Sequence, residues 1–302
     1  MSVAQWLQLL TLSAMWGASF FFIAIALREL TPFTMALYRV APAGLFLLVY
    51  LYARGGRLPS DIHNWRILAY VGAVGIAMPF TLITWGQQYI DSGLASILNA
   101  TTPIFTVVMA HVFTSDERLS ANRVLGVALG MAGIVALVGP EAFRGVTKQA
   151  WGELAVLGAA FCYATAGIVG RNVRGISSLS ATSGTLLIAS LTLVPMALLF
   201  EHPLPPVRPA TWGALAWLSI MGTALAYLLY YRLLRTVGAT NTLLVTFLIP
   251  VNALLLGILL LGETLDRHAV IGMALVFCGL LAVDGRLLLA LRSGRDAPSA
   301  GA

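Results

Sequence analysis

Residues 117–139 read ERLSANRVLGVALGMAGIVALVG, and residues 263–285 read ETLDRHAVIGMALVFCGLLAVDG. The two stretches lie 146 positions apart and share nine identical residues in 23 positions, including the Glu-x-Leu with which each begins. Upstream the spacing becomes 147, which pairs Gly75 with Gly222. Glycines and a Glu-x-Leu that recur in the same order in both stretches are hard to attribute to an apolar composition alone. The chain therefore contains an internal repeat.

The composition around this repeat is that of a membrane protein. Of the 302 residues, 59% are hydrophobic and only 10% are charged, and the mean hydropathy is +0.88. A soluble domain carries about 25% charged residues, so most of this surface must face lipid. The net charge of +6 comes from arginines scattered singly between apolar runs. Such a pattern does not make a nucleic-acid-binding face, and the partner it indicates is the lipid bilayer.

Apolar runs of about 20 residues can cross a bilayer as helices. The chain has ten of them, near residues 6–27, 32–53, 66–88, 93–115, 123–140, 152–173, 181–200, 212–235, 240–262 and 268–291. Because each half holds five spans, an odd number, the second half must enter the membrane from the opposite side. The sequence therefore predicts an all-α integral membrane protein with ten transmembrane helices. They form two inverted five-helix repeats, residues 1–145 and 146–292, around a central cavity, followed by a disordered tail over 293–302.

Basic residues near the span ends predict the orientation, because cytoplasmic loops are enriched in Lys and Arg. With the N-terminus inside, twelve basic residues face the cytoplasm: Arg54, Arg57, Arg66, Arg118, Arg123, Arg171, Arg174, Arg232, Arg235, Arg286, Arg292 and Arg295. Five lie on the other side: Arg28, Arg144, Lys148, Arg208 and Arg267. We therefore expect both termini in the cytoplasm.

Inverted repeats are a recurrent architecture of transporters, with the substrate site near the midplane where the halves meet. Exchanging the conformations of the two halves then turns an outward opening into an inward one. The alternatives are a channel or an intramembrane enzyme built on the same duplication. We find no nucleophile–base pair, no phosphate-binding glycine loop and no metal-ligand cluster in the sequence. We therefore expect a small-molecule transporter with no catalytic residue, metal or cofactor.

Two aromatic residues near mid-membrane are the first candidates for a substrate site. Tryptophan normally prefers the membrane interface, but Trp16 lies at the centre of the first span. Its repeat partner at a spacing of 147 is Tyr163, also near mid-membrane. Both could line a central pocket, and simple core packing is the alternative for each.

Arg39 is the second candidate, because it lies about 10 Å deep in the second span. An arginine near the membrane centre costs at least about 2.5–3.5 kcal/mol on insertion scales, so it would not persist facing lipid. It could reach back to the outer surface, hold loop carbonyls, or bind a substrate carboxylate. The full set of predicted substrate-binding residues is Trp16, Ser19, Tyr38, Arg39, Phe80, Trp85, Asn99, Tyr163, Tyr227 and Tyr231.

Several motifs resemble one family of transporters. These are Trp16-Gly17-Ala18-Ser19-Phe20, Thr31-Pro32-Phe33 leading to Arg39, Gln88-Tyr89, Ala95, Leu98, Pro103, Glu117-Arg118-Leu119 and Glu263-Thr264-Leu265. The set resembles the drug/metabolite transporter superfamily, in its ten-helix EamA family, and most closely the bacterial amino-acid exporters of the YddG type. The resemblance implies a basket of inner-membrane helices that exports aromatic or other neutral amino acids. Another solute class, such as a purine, sugar or drug, remains the alternative.

Overall fold

The computed structural model describes residues 1–113, 121–138, 147–201, 208–242, 244–264 and 267–284. All regular secondary structure in these ranges is helical. The α-helices are α1 (Val3–Ala26), α2 (Pro32–Ala53), α3 (Ile62–Gly72), α4 (Met78–Gly86), α5 (Ser92–Asn99), α6 (Thr102–Phe113), α7 (Ala121–Val138), α8 (Lys148–Gly170), α9 (Ser178–Phe200), α10 (Pro209–Ala216), α11 (Ala226–Thr242), α12 (Val245–Leu256) and α13 (Arg267–Asp284). The predicted tail, 293–302, and the predicted boundary at residue 145 lie outside the described residues.

Three π-helical segments continue these helices: π1 (Ala73–Ala77), π2 (Trp217–Leu225) and π3 (Gly257–Leu261). Seven continuous helices are long and apolar enough to cross a membrane: Val3–Ala26, Pro32–Ala53, Ile62–Gly86, Ser92–Phe113, Lys148–Gly170, Ser178–Phe200 and Pro209–Gly238. Three shorter apolar helices, Asn122–Leu137, Val245–Leu261 and Arg267–Val283, coincide with the other predicted spans. The expectation of an all-helical integral membrane protein is confirmed.

Prolines lie close to irregular backbone in two of these spans. Pro79 is the second residue of α4, which continues π1, and the turn before Pro103 separates α5 from α6. A proline lacks a backbone N–H and so leaves one carbonyl of the preceding turn without its helical donor. Pro250, in contrast, lies inside α12, which remains helical on both sides of it.

Helix pairing joins distant parts of the chain: α7 packs on α13, α2 on α9, α1 on α12, and α4 on α8. Glycines permit the closest of these contacts. A Cβ atom added to Gly126 would lie 2.6 Å from the carbonyl oxygen of Gly279, and one added to Gly133 would lie 2.9 Å from that of Gly272. The backbones of α7 and α13 therefore touch directly, as small residues allow inside a bilayer.

A carboxylate from one helix also caps the N-terminus of another. Glu201, at the end of α9, accepts hydrogen bonds from the backbone N–H groups of Phe33 at 2.9 Å and Thr34 at 2.6 Å, at the start of α2. The hydroxyls of Thr31 and Thr34 donate to the same carboxylate. An acid at this position satisfies otherwise unpaired N–H groups and complements the helix dipole.

Two further acids repeat this arrangement. Glu263 accepts from the backbone N–H of Ser92 at 2.8 Å and of Gly93 at 3.0 Å, at the start of α5. Glu29, after α1, accepts from the N–H of Arg208 at 2.6 Å, where α10 begins, and its carboxylate also pairs with the guanidinium of the same residue. Each acid thus caps the N-terminus of a helix that is distant from it in the sequence.

The loops at the other end of the helices are joined by uncharged groups. The side-chain amide of Asn64 donates to the carbonyl of Arg174 at 2.9 Å and accepts from its backbone N–H at 3.1 Å. The hydroxyl of Ser180 donates to the carbonyl of Arg57 at 2.7 Å. At one end of the helix bundle distant segments are therefore joined through carboxylates, and at the other end through amide, hydroxyl and carbonyl groups.

Candidate functional site

A group of aromatic side chains lies where α1, α8 and α11 meet. The indole of Trp16 is 5.6 Å from the ring of Tyr230 and 6.3 Å, edge-on, from that of Tyr227, measured between centroids. The rings of Tyr227 and Tyr231 are stacked at 6.4 Å. Together with Tyr163 we call these residues the central aromatic cluster.

This cluster sits between two separate hydrophobic cores. Trp16 and Tyr230 pack against the larger core, and Tyr227 packs against the smaller one. Tyr163 packs against both. The central aromatic cluster therefore lies at the boundary between the two cores.

Arg39 lies beside the central aromatic cluster. The side chain is buried, with 6% of the residue exposed, so it does not reach back to a membrane surface. Its Nε donates to the hydroxyl of Thr223 at 3.0 Å, and one Nη donates to the carbonyl of Gly222 at 3.4 Å. The guanidinium carbon stands 4.0 Å from the ring centre of Phe80, a cation–π contact. Tyr163 and Tyr227 lie within electrostatic range of the same charge.

π2 gives Arg39 both of its acceptors, the side-chain hydroxyl of Thr223 and the backbone carbonyl of Gly222. Thr223 itself donates to the carbonyl of Leu218, five residues back, at 2.9 Å, which follows the wider spacing of a π-helix. Gly222 lets α1 approach, since a Cβ there would lie 2.6 Å from the hydroxyl oxygen of Ser19. The Ser19 hydroxyl donates to the carbonyl of Met15 within α1. Ser19 and Arg39 thus meet π2 at the same glycine.

The structure brings together seven of the ten predicted residues: Trp16, Ser19, Arg39, Phe80, Tyr163, Tyr227 and Tyr231. The other three lie in different contacts. Tyr38 packs on Trp212 at 5.7 Å, and Trp85 packs edge-on against Tyr89 at 5.0 Å. Asn99 ends α5, and its buried Oδ1 accepts no hydrogen bond from the described residues.

The predicted set of substrate-binding residues leaves out three contributors to this site. Tyr230 had a visible signal, because it precedes Tyr231 and lies a helical turn from Tyr227. Gly222 was marked only as the repeat partner of Gly75. Thr223 gave no signal, since a single threonine in an apolar run is ordinary and its position depends on the π-helical spacing.

A cavity of about 170 Å³ opens elsewhere, at the end of the bundle where Glu263 caps α5. Its polar lining includes Asp91, Gln149 and Thr264. Burial raises the pKa of Asp91, and the nearby charge of Glu263 raises it further. Because Glu263 is already occupied as a helix cap, we take the central aromatic cluster as the candidate site. Within the described ranges no three His, Cys, Asp or Glu side chains gather as a metal site.

The chemistry of the cluster is that of binding. It offers aromatic faces, tyrosine and serine hydroxyls and one guanidinium, and the described part of the chain places no acid or imidazole among them. Acid–base catalysis requires a titratable group within hydrogen-bond reach of the reacting atom. Aromatic faces and a cation instead suit a small solute with an apolar body and a polar or anionic end.

Comparison with known proteins identifies relatives along nearly the whole chain. A model of the EamA-like transporter family matches residues 5–139 and 150–283. The chain is 28% identical over 284 residues to "Uncharacterized inner membrane transporter YedA" of Escherichia coli (strain K12), covering 93% of this chain and 90% of that protein. It is 22% identical over 283 residues to "Uncharacterized transporter YoaV" of Bacillus subtilis (strain 168), covering 91% and 94%. A solved crystal structure of 20% identity has a TM-score of 0.67 over 97% of this chain and 99% of that one, which shows a common fold.

Proposed function

Because this chain belongs to the EamA-like transporter family, we propose that it is a secondary transporter that exports amino acids, aromatic or neutral, or similar small metabolites by alternating access. The observation that carries the proposal is the central aromatic cluster beside Arg39, between two hydrophobic cores. Aromatic walls bind apolar side chains, and hydroxyls and a guanidinium bind the polar end of an amino acid.

The proposed mechanism needs two halves that can exchange conformations, residues 1–145 and 146–292. The internal repeat supports this division, and so does the pairing of helices. If the halves are exchanged, the pairs α2–α9 and α7–α13 map onto themselves, and the pair α4–α8 maps onto the contact of α1 with α11. We therefore infer two inverted five-helix repeats around a central pathway.

The three capping acids support the same division. Glu29 belongs to the first half and caps a helix of the second, whereas Glu201 and Glu263 belong to the second half and cap helices of the first. With both termini in the cytoplasm, as the arginine distribution favours, all three acids lie on the outer side. We place the chain in a bacterial inner membrane, the location in the printed name of its relative YedA.

Counterflow in proteoliposomes tests the function. Purified protein is reconstituted in vesicles loaded with one unlabelled solute, and entry of the same labelled solute is followed. The panel contains phenylalanine, leucine, glutamate, adenine, glucose and a cationic dye. We expect exchange of phenylalanine and leucine above that of protein-free vesicles. Exchange confined to adenine, glucose or the dye would favour the alternative solute class, and no exchange would overturn the proposal.

A further inference from the structure

Arg39 is a buried cation whose visible partners are all neutral. Its two hydrogen bonds go to a hydroxyl, on Thr223, and to the carbonyl of Gly222, and its flat face meets Phe80. A guanidinium has five N–H donors and stays protonated in proteins. Two acceptors, one of them at a long 3.4 Å, leave part of this donor capacity unused.

The charge also lacks a counter-ion. Within the described ranges no carboxylate lies within ion-pair distance of Arg39, whereas Arg208 on the exposed rim is paired with Glu29. The acids Glu201 and Glu263 are occupied as helix caps. An uncompensated charge in a membrane interior is costly, and such residues usually serve a ligand or ion pathway. A bound solute can supply the anion that the described part of the chain does not place at Arg39.

Resting on the function proposed above, we propose that Arg39 binds the carboxylate of the transported solute and that this carboxylate displaces π2 from the guanidinium. The remainder of the solute then lies against Tyr227, which is next to this charge, and against Trp16, which contacts Tyr227. The ligand class is a small carboxylate with an apolar or aromatic body.

The displacement follows from the strengths of the competing contacts. A carboxylate offers the guanidinium two parallel hydrogen bonds together with an opposite charge, whereas a neutral acceptor offers one hydrogen bond and no charge. Thr223 and the carbonyl of Gly222 are such neutral acceptors, and both belong to π2. Once the solute takes the guanidinium, α2 is no longer bonded to π2 through Arg39. Solute binding thereby loosens a contact between the two halves, which links binding to the conformational change.

The first test compares two solutes on the unaltered protein. Unlabelled L-phenylalanine and its carboxyl amide, L-phenylalaninamide, compete for counterflow of labelled phenylalanine, and each also serves as a ligand in thermal-shift titrations. The amide keeps the ring and the ammonium group but carries no anion. We expect the amide to bind about 10- to 100-fold more weakly. Equal affinity of the two solutes would overturn the proposal without any variant.

The second test uses Arg39→Lys and Arg39→Gln, with Thr223→Val as the matched variant that removes the neutral acceptor. Both Arg39 variants should lose about 10- to 100-fold in phenylalanine affinity while amide affinity changes less than about threefold. Thr223→Val should bind phenylalanine more tightly, with a lower melting temperature, because the guanidinium has lost a competing acceptor. A parallel loss for both solutes in the Arg39 variants would show a purely structural role. A loss in Thr223→Val as large as in Arg39→Lys would overturn the displacement.

These outcomes remain separate from the failure of transport itself. If phenylalanine and leucine show no counterflow in the unaltered protein, the proposed function fails, and this inference fails with it. If counterflow is present but acid and amide behave alike throughout, only the role of Arg39 is wrong.

Discussion

At the scale of single residues, Trp16 is the aromatic side chain whose removal should report most directly on the site. Its indole contacts Tyr227 and Tyr230, and it lies near the middle of α1, away from the helix ends where tryptophan usually occurs in membrane proteins. Trp16→Ala should remove stacking and apolar contact worth about 1–3 kcal/mol from a well-packed ligand. We expect the half-saturating solute concentration in counterflow to rise about 5- to 100-fold.

Trp151→Ala is the control for this prediction, because that side chain is 53% exposed in the first turn of α8. It should leave counterflow close to the unaltered level at equal membrane expression. An unchanged concentration dependence in Trp16→Ala would exclude Trp16 from the binding site.

A second residue-scale prediction concerns Gly222, where α1 touches π2. A Cβ would lie 2.6 Å from the Ser19 hydroxyl oxygen, which is itself bonded to the carbonyl of Met15, so something must shift. Gly222→Ala should cost about 1–3 kcal/mol and lower the melting temperature of the detergent-solubilised protein by several degrees. Gly213→Ala, in the same span, adds its Cβ to open space and should leave that temperature unchanged or raise it. Equal melting temperatures for the two variants would contradict the close contact.

Single residues were found from sequence only where they broke a rule. Trp16 stood out because its depth is unusual for tryptophan, and Arg39 because a charge at that depth is costly. Thr223 was missed because a single threonine is ordinary in an apolar span, although it accepts the shorter hydrogen bond of Arg39. Tyr38 precedes Arg39 in the sequence, but consecutive helical residues point about 100° apart, and Tyr38 meets Trp212 instead.

At the scale of helices, hydropathy located the seven helices long enough to cross a membrane and the three shorter apolar ones, but not their internal irregularities. Hydropathy shows whether a run of residues is apolar, but it does not show which carbonyl accepts the hydrogen bond of each backbone N–H. The π-helical spacing of Trp217–Leu225 could therefore not be predicted, although it determines where Arg39 finds its acceptors. Prolines were a partial guide. Pro79 and Pro103 adjoin irregular backbone, and Pro250 does not.

The capping of α10 by Glu29 leads to a prediction about pH. The hydrogen bond from the backbone N–H of Arg208 holds the pKa of Glu29 below its usual range, and the hydrogen bond from Thr211 lowers it as well. Burial acts in the opposite direction but does not outweigh them. A lowered pKa means that the ionised form is favoured by folding, so its stabilisation is present above the ordinary value and lost as the pH falls through the lowered one. We expect the melting temperature to fall as the pH drops below about 4.

The variant Glu29→Gln isolates this contribution, because an amide does not titrate. Its melting temperature should be lower at pH 7 and should decline less between pH 5 and pH 3 than that of the unaltered protein. Asp61, whose pKa is also lowered by the Asn64 it caps, lies at the other end of the bundle. Asp61→Asn should therefore remove a separate share of the acid sensitivity, and the double variant should show the sum. An identical pH profile in Glu29→Gln would exclude the cap as a source of acid sensitivity.

At the scale of the whole molecule, the arginine distribution makes a prediction about topology. A reporter that is active only in the cytoplasm should work when fused after Ala302, because twelve basic residues fall on that side and five on the other. The same fusion with a reporter active only outside the cytoplasm should be silent. Activity of the second reporter at Ala302 would reverse the orientation and place the three capping acids inside.

Because α7 and α13 touch through their glycines, the two halves of the protein should stay associated even when the chain between them is cut. If each half were a separate chain, these equivalent helices would form an isologous dimer interface, in which one surface binds its own copy. Such an interface does not need the covalent link between the halves. With a protease site inserted after residue 145, the cleaved detergent-solubilised protein should still elute as a two-chain complex. Gly133→Val, which pushes a side chain into α13, should lower the temperature at which the chains separate, whereas Gly167→Val, beside open space, should not.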